Sequence, residues 1–307
     1  MLELPETFRQ TILATFGAAG RAWLAALPAI LADCAARWSL QLGPPVPNLS
    51  YNYVVSAETS DGLPVMLKLG VPHPELLGEM AALAAYAGQG CVRLLACDPA
   101  QGALLLERLQ PGLCLTAMVK AGDDERATRL AAGVMRQLWR PLPPAHVFPT
   151  TARWADGLVR LRATFGGGVG PFPADLVALA ERLFADLLAT SAEACLLHGD
   201  LHHDNILSAT RAPWLAIDPK GLAGEPAYEV GALLRNPWPW LLTAPEPAAL
   251  LAQRAQVLAS ELSLDRQRLI GWGVAQAVLS AWWAYEDEAP GWRDGLIVAA
   301  WLRAALD

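Results

Sequence analysis

The segment His198–Leu207 constrains this chain most, because it packs three histidines, two aspartates and an asparagine into eight residues. An apolar run, Cys195–Leu197, precedes the polar residues, and Ile206 and Leu207 follow them. Strand-like flanks around a polar middle predict a loop on a rigid frame, where catalytic residues commonly lie.

A second carboxylate, Asp218, ends the apolar run Trp214–Ile217 and lies thirteen residues after Asn205. Two aspartates and an asparagine in this order suit phosphoryl transfer, in which one carboxylate orients and deprotonates a hydroxyl while an amide and a second carboxylate hold Mg²⁺. We therefore expect Asp200 to be the catalytic base, and Asn205 and Asp218 to be the metal ligands.

Three stretches of the chain carry a family resemblance: His198-Gly199-Asp200-Leu201-His202-His203-Asp204-Asn205, Ile217-Asp218-Pro219-Lys220-Gly221 and Gly224-Glu225. They resemble the catalytic loop and metal aspartate of the aminoglycoside phosphotransferases, which share the protein-kinase fold. The residues of these motifs are most similar to those of the streptomycin 6-phosphotransferase and hydroxyurea-resistance branch. The resemblance runs from about Trp23 to the C-terminus.

The resemblance implies an α+β, protein-kinase-like fold of two lobes, one with a small antiparallel sheet and one mostly helical. We expect a helical N-terminal extension at 1–42, an N-lobe at 43–109 and a C-lobe at 110–307. The implied activity is ATP-dependent transfer of phosphate to a hydroxyl of a small molecule, foremost an aminoglycoside such as streptomycin. ATP and Mg²⁺ are the implied cofactors.

Lys68 lies within the apolar strand Leu63–Leu69, and Glu79 lies in the helix predicted at 74–87. A strand lysine followed by a helix glutamate is the pair that positions ATP phosphates in kinases. The resemblance therefore implies roles for Lys68 and Glu79 in catalysis, and for Lys68 in nucleotide binding. Glu75 is the rival partner, but Glu79 falls nearer the middle of the helix.

Two further segments would bind the nucleotide through the backbone. The phosphate loop is expected between the first two strands, at Ser50, Tyr51 and Asn52, although no Gly-x-Gly-x-x-Gly occurs there. The adenine would bind the inter-lobe hinge at Glu107 and Leu109. An ordinary strand exit followed by a Pro-Gly turn is the alternative reading of that hinge.

The acceptor is expected to be a cation, because the family binds its aminoglycosides in an acid-lined cleft. Glu225 belongs to a matched motif, and the group Tyr285, Glu286, Asp287 and Glu288 joins an aromatic face to three carboxylates. A solvated helix end is the alternative reading of the acidic group. Hydroxyurea or another metabolite stays open as the acceptor.

Composition excludes several classes of protein. Apolar residues make up 54% of the 307 residues and charged residues 17%, which is typical of a globular chain. The net charge is −7 without a basic run, so nucleic acid is not an expected partner. Five cysteines without a Cys-x-x-Cys pair indicate a reducing cytoplasm. The apolar run Ala22–Ala36 contains Pro28 and Asp33, so a membrane span is not expected.

Two alternative functions use the same residues. A His/Asp metallohydrolase would use His202 and His203 as metal ligands, but it would not require a strand lysine and a helix glutamate upstream. A nucleotide-binding pseudokinase is disfavoured, because the chain retains the full set of expected residues: Lys68, Asp200, Asn205 and Asp218.

Overall fold

An antiparallel sheet with the strand order β1-β2-β3-β5-β4 is the frame of unit 1, Met1–Gly112. The computed structural model describes residues 2–306. The elements of unit 1 are helix α1 (Glu6–Arg37), strands β1 (Leu40–Pro45), β2 (Asn52–Thr59) and β3 (Pro64–Gly70), helix α2 (Pro74–Tyr86), and strands β4 (Leu94–Asp98) and β5 (Ala103–Glu107). Strand β6 (Pro111–Cys114) follows in the chain.

Helix α1 is one element with a kink at Gly17, where φ is 54° and ψ is −122°. Its buried residues Phe8, Ile12 and Leu27 share one apolar core with strands β2 and β3. The expected extension at 1–42 is therefore not an appendage: its helix completes the core of unit 1, and Leu40 already belongs to a strand. The reason is that a half-buried sheet needs an apolar cover.

Among the described residues, α1 is also the one helix whose length and composition would suffice to cross a bilayer. Core helices of soluble proteins pass the same test, and α1 lends apolar side chains to the core of unit 1. The helix runs for 32 residues with the kink at Gly17, so its length alone does not distinguish a core helix from a membrane span.

Unit 2, Leu113–Asp307, is mostly helical. Its elements are α3 (Leu115–Lys120), α4 (Asp124–Leu138), β7 (Arg140–Pro141), α5 (Thr151–Thr164), α6 (Ala174–Ala189), β8 (Cys195–Leu197), β9 (Ile206–Ala209), β10 (Trp214–Ala216), β11 (Leu222–Gly224), α7 (Val230–Leu234), α8 (Pro247–Leu262), α9 (Arg266–Glu286) and α10 (Trp292–Arg303). Strands β9 and β10 form a hairpin, and β8 pairs with β7 and β11.

Helix α9 is the central element of unit 2. The whole stretch from Leu269 to Leu279 is buried, and a helix that is buried on every side belongs to a core. Helices α5, α6, α7, α8 and α10 all contact α9. The segment His198–Leu207 is therefore carried by short strands beside a large helical core.

We predict that Leu27→Ala in α1 lowers the free energy of unfolding of unit 1 by about 2–5 kcal/mol, because it removes a fully buried side chain. The control is Leu42→Ala in β1, a side chain that is 39% exposed, for which we expect a change within about 0.5 kcal/mol. Urea unfolding measures both. Equal effects of the two substitutions would show that α1 is not part of the core.

Candidate active site

The β9–β10 hairpin brings together Asn205 and Asp218, the two predicted metal ligands. Ala216 lies opposite Ile206 in the ladder, and the Ile217 N–H donates to the carbonyl oxygen of Asn205 at 2.9 Å. Asp218, one residue further on, therefore lies beside Asn205. The side-chain amide nitrogen of Asn205 donates to the carbonyl oxygen of Asp200 at 3.0 Å, so all three residues meet at one end of the hairpin.

Asp218 has a left-handed backbone conformation, with φ at 57°. Such a conformation is uncommon for a residue other than glycine and costs on the order of 1–3 kcal/mol, so it persists only where neighbouring contacts enforce it. Ile217 supplies that enforcement, because both its N–H and its carbonyl are hydrogen-bonded. The carboxylate of Asp218 is therefore aimed by a constrained backbone.

His198 is fully buried and connects the loop to the hairpin. Its Nε2 lies 2.7 Å from the Ile217 carbonyl oxygen, and its Nδ1 lies 3.2 Å from the backbone nitrogen of Asp200. The carbonyl needs a donor and the N–H needs an acceptor, so the ring is neutral with its proton on Nε2. Burial lowers the pKa of His198 to about 4, which keeps it neutral. His198 therefore supports the loop by hydrogen bonds at both ring nitrogens.

Glu229 is a functional residue that the sequence reading missed. Its carboxylate is buried and accepts hydrogen bonds from the backbone N–H groups of His198 at 2.7 Å and Gly199 at 2.9 Å. Burial raises the pKa of Glu229 to about 7, against the opposing effect of those two donors. The signal in the sequence was a single carboxylate directly before the apolar run Val230–Leu234.

Gly199 can be no other residue without strain, because its φ is 86°. An added Cβ would also lie 3.1 Å from Cη2 of Trp154 and 3.3 Å from Cβ of Leu222. The turn that presents Asp200 therefore requires both the left-handed conformation and the absence of a side chain.

The carboxylate of Asp200 lies between two nitrogen-bearing side chains. Nη2 of Arg235 is 3.2 Å from Oδ1, and Nε2 of His202 is 3.9 Å from Oδ2. The Asp200 side chain is 28% exposed, so it can reach a substrate. The sequence reading did not include Arg235, although it is a lone charge at the end of an apolar helix.

His203 differs from His202 in being fully buried, and burial lowers its pKa well below the usual range. His203 therefore stays neutral inside unit 2 and does not line the site. Within residues 2–306, the structure contains no cluster of three or more His, Cys, Asp or Glu side chains arranged to hold a metal ion.

In unit 1, Lys68 of β3 and Glu79 of α2 form the predicted ion pair. Nζ of Lys68 lies 2.7 Å from Oε1 and 2.8 Å from Oε2 of Glu79. The two residues are only 4% and 7% exposed, so the pair is almost fully desolvated. Of the two candidate partners, Glu79 is the one that the structure places against Lys68.

The other predicted nucleotide-binding residues of unit 1 lie in connections. Ser50 and Tyr51 lie between β1 and β2, and Asn52 begins β2. Glu107 ends β5, and its N–H donates to the Arg93 carbonyl at 3.1 Å. Leu109 lies beyond β5 in a segment without regular structure. Their roles toward a nucleotide stay predictions.

Glu225 does not have the surroundings of a substrate contact. It is 4% exposed. Its two carboxylate oxygens accept hydrogen bonds from Nε of Arg268 at 2.8 and 2.9 Å, and the indole N–H of Trp272 also donates to the carboxylate. We therefore correct the expectation: Glu225 joins β11 to α9 inside unit 2. A motif can contain a buried ion pair as readily as a binding group, so the motif alone did not show that Glu225 is buried.

The predicted acidic group lies at the end of α9. Tyr285, Glu286 and Glu288 help to line a surface pocket of about 720 Å³ between α9 and α10, hereafter the α9–α10 pocket, while Asp287 is exposed to solvent. Its remaining lining residues are Thr164, Trp282, Ala289, Pro290, Gly291, Trp292 and Arg293. Both carboxylate oxygens of Glu286 bind Arg160 at 2.9 Å, so this charge is already compensated.

Glu229→Gln is expected to change how stability depends on pH. Because the Glu229 pKa rises from about 4.5 unfolded to about 7 folded, the folded state binds the extra proton, and this group's contribution to stability falls as pH rises from about 4.5 to 7. The difference amounts to about 3 kcal/mol. His198 acts in the opposite direction, because its lowered pKa makes stability rise between about pH 4 and 6.5.

The measurement is therefore the difference in unfolding free energy between wild type and Glu229→Gln at pH 5 and at pH 8. We expect the advantage of the wild type to be larger at pH 5. A pH-independent difference would show that Glu229 does not titrate in this window. His146→Gln serves as a control, because that histidine lies outside the loop.

Comparison with known proteins places the chain among kinases. The sequence profile described as "Aminoglycoside/hydroxyurea antibiotic resistance kinase" matches residues 37–288. The chain is 32% identical to the streptomycin 6-kinase of Streptomyces glaucescens, over 94% of this chain and 92% of that protein. It is 35% identical to the hydroxyurea phosphotransferase of Kitasatospora aureofaciens, over 94% of this chain and 82% of that protein.

Solved structures support the fold. An aminoglycoside phosphotransferase in a ternary complex with ADP and hygromycin B aligns with a TM-score of 0.64 at 13% identity, over 90% of this chain and 97% of that one. A choline kinase from Streptococcus pneumoniae aligns with a TM-score of 0.62 at 12% identity, over 91% and 98%. The predicted protein-kinase-like fold is confirmed, and the chain belongs to the aminoglycoside/hydroxyurea antibiotic resistance kinase family.

Proposed function

We propose that this protein is an ATP-dependent O-phosphotransferase that phosphorylates a hydroxyl group of a small molecule in the cytoplasm. The observation that carries the proposal is the convergence of Asp200, Asn205 and Asp218 at one end of the β9–β10 hairpin. Membership of a kinase family supports the same activity, and the five free cysteines are compatible with the compartment.

Asp200 would accept the proton of the acceptor hydroxyl, because an alcohol is a poor nucleophile and a positioned carboxylate relieves it of the proton during transfer. Asn205 and Asp218 fit a magnesium ion. The Asn205 amide nitrogen is engaged with Asp200, so its oxygen is the atom left to act as a ligand, and Mg²⁺ prefers few oxygen ligands together with waters and substrate phosphates. When bound, the ion neutralises charge on the nucleotide phosphates.

In unit 1, Lys68 would contact the nucleotide phosphates and Glu79 would hold the lysine in place. A buried ion pair contributes little net stability, since desolvation offsets the attraction, so its retention favours a role in binding. Ser50, Tyr51 and Asn52 would offer backbone groups to the phosphates, and Glu107 and Leu109 to the adenine.

We expect Asp200→Asn to lower kcat by about 10²–10⁴-fold, because the base is removed, with little change in the affinity for ATP. Asp218→Ala should instead weaken the binding of ATP in the presence of Mg²⁺. ADP release measures the first effect and calorimetry the second. Asp204→Asn is the matched control, an exposed carboxylate in the same loop.

Near-normal turnover of Asp200→Asn would refute the assigned base. Unchanged ATP–Mg²⁺ affinity in Asp218→Ala would place the metal elsewhere. A wild-type protein that binds nucleotide but transfers phosphate to no hydroxylated acceptor would support the pseudokinase alternative, and metal-dependent hydrolysis without nucleotide would support the metallohydrolase.

For the acceptor, we propose a guanidinylated or amino-substituted sugar of the streptomycin kind, with phosphorylation at the 6-position, bound at the α9–α10 pocket. The relatives named above act on streptomycin and on hydroxyurea, which leaves a cation and a neutral molecule as the two candidates. The aromatic side chains of Trp282 and Tyr285 in the pocket lining favour a cation over hydroxyurea, whereas the Trp292 ring already carries the guanidinium of Arg293.

Replacing Glu286, Asp287 and Glu288 by their amides should raise the KM of a cationic acceptor and leave the KM of ATP unchanged, because ground-state attraction is lost. Arg160→Ala is a matched variant with the opposite expected effect. Because it frees the Glu286 carboxylate from its ion pair, it should lower the acceptor KM. Initial rates at low and high salt measure both, and salt should weaken the attraction. An acceptor KM that neither change affects would identify the group as a solvated helix end.

A further inference from the structure

Arg235 sits at the end of α7 and makes the direct contact between that helix and the catalytic carboxylate. Its Nη2 lies 3.2 Å from Oδ1 of Asp200, and its Nη1 lies 3.2 Å from Oε1 of Gln276 in α9. The Arg235 side chain is 16% exposed. The two ends of the guanidinium group are thus divided between the catalytic loop and the central helix of unit 2.

Gln276 is itself fixed before it meets Arg235. It is 5% exposed, and its Nε2 donates to the carbonyl oxygen of Tyr228. That bond identifies the amide oxygen as the atom that faces Arg235. Gly231 makes room for the amide, because a Cβ there would lie 2.3 Å from the Gln276 side-chain carbon. The arginine therefore rests on a rigid support.

A role in stability alone does not account for this arrangement. The contact between Arg235 and Asp200 is a single N–O approach between two partly exposed groups, and pairs of this kind add little to stability. A weak surface ion pair would not require support from a buried glutamine and a glycine that makes room for it. Orientation of Asp200 is what the arrangement achieves.

We infer that Arg235 is a positioning residue, held by Gln276, that fixes the rotation of the Asp200 carboxylate so that Oδ2 faces the acceptor hydroxyl. With Oδ1 bound by Arg235, Oδ2 is left to accept the proton. The inference rests on the proposed phosphotransferase function. It adds a residue that the sequence motifs do not include.

The test compares Arg235→Ala and Arg235→Lys with wild type in acceptor-dependent ADP release. We expect Arg235→Ala to lower kcat by about 10²-fold, the order of loss that a misplacement of about 1 Å can cause, with the KM of ATP within about twofold of wild type. Arg235→Lys should recover part of kcat, because lysine restores the charge without the fork. Guanidinium at millimolar concentration should raise the kcat of Arg235→Ala.

Arg162→Ala is the matched control. It also removes an arginine bound to a carboxylate, Glu181 of α6, at 2.8 Å, and it should keep its kcat and show no rescue. A kcat of Arg235→Ala within about twofold of wild type would overturn the inference. A loss of kcat that guanidinium leaves unchanged, together with a lowered Tm, would make Arg235 merely structural and would also overturn it.

Failure of the proposed function is distinguishable, since wild type would then release no ADP in response to any acceptor. In that event the contact between Arg235 and Asp200 is tested by the Tm values of a double-mutant cycle of Asp200→Ala and Arg235→Ala. A Tm loss from Arg235→Ala that is smaller by at least about 2 °C in the Asp200→Ala background supports the contact, and equal losses overturn it.

Discussion

The loop that carries Asp200, the proposed base, depends on one buried carboxylate, that of Glu229. It accepts the backbone N–H groups of His198 and Gly199, which precede Asp200 and have no partners within a regular strand. A carboxylate that accepts two N–H donors gives strong, directional hydrogen bonds. Burial makes this support costly, as the raised pKa of Glu229 shows. Burial of this carboxylate lowers the stability of the fold, whereas the hydrogen bonds that it accepts hold Asp200 in place.

His198 completes the support from the opposite side of the loop. One ring nitrogen serves the loop and the other serves the hairpin that carries Asp218. The proposed base and the proposed metal ligand are therefore linked through a single neutral imidazole. Because the ring must donate from one nitrogen and accept at the other, protonation would break one of these two bonds. Its lowered pKa protects the linkage at physiological pH.

The two units differ in how deeply their proposed functional groups are buried. In unit 1 the charges of Lys68 and Glu79 are buried and satisfied by each other. In unit 2 the carboxylate of Asp200 stays partly exposed and is oriented by Arg235. A group that contacts solvent-accessible substrate must remain reachable, whereas a pair that fixes a phosphate-binding lysine can be desolvated. The difference in burial follows from the difference in proposed task.

The motifs in the sequence indicated the loop with Asp200 and Asn205 and the hairpin aspartate Asp218. Through their resemblance to a known family they also implied the kinase-like fold and the ion pair of Lys68 and Glu79. These are motif residues whose spacing and residue types carry their meaning. Tertiary structure alone decided the rest. Glu229 and Arg235 act through contacts with residues about 30 positions away in the chain, so no local pattern announces them. Glu225 shows the converse, because its motif could not reveal that Arg268 and Trp272 enclose it. Whether a charge faces a ligand or a buried partner depends on packing between distant elements, and a single sequence does not contain that packing.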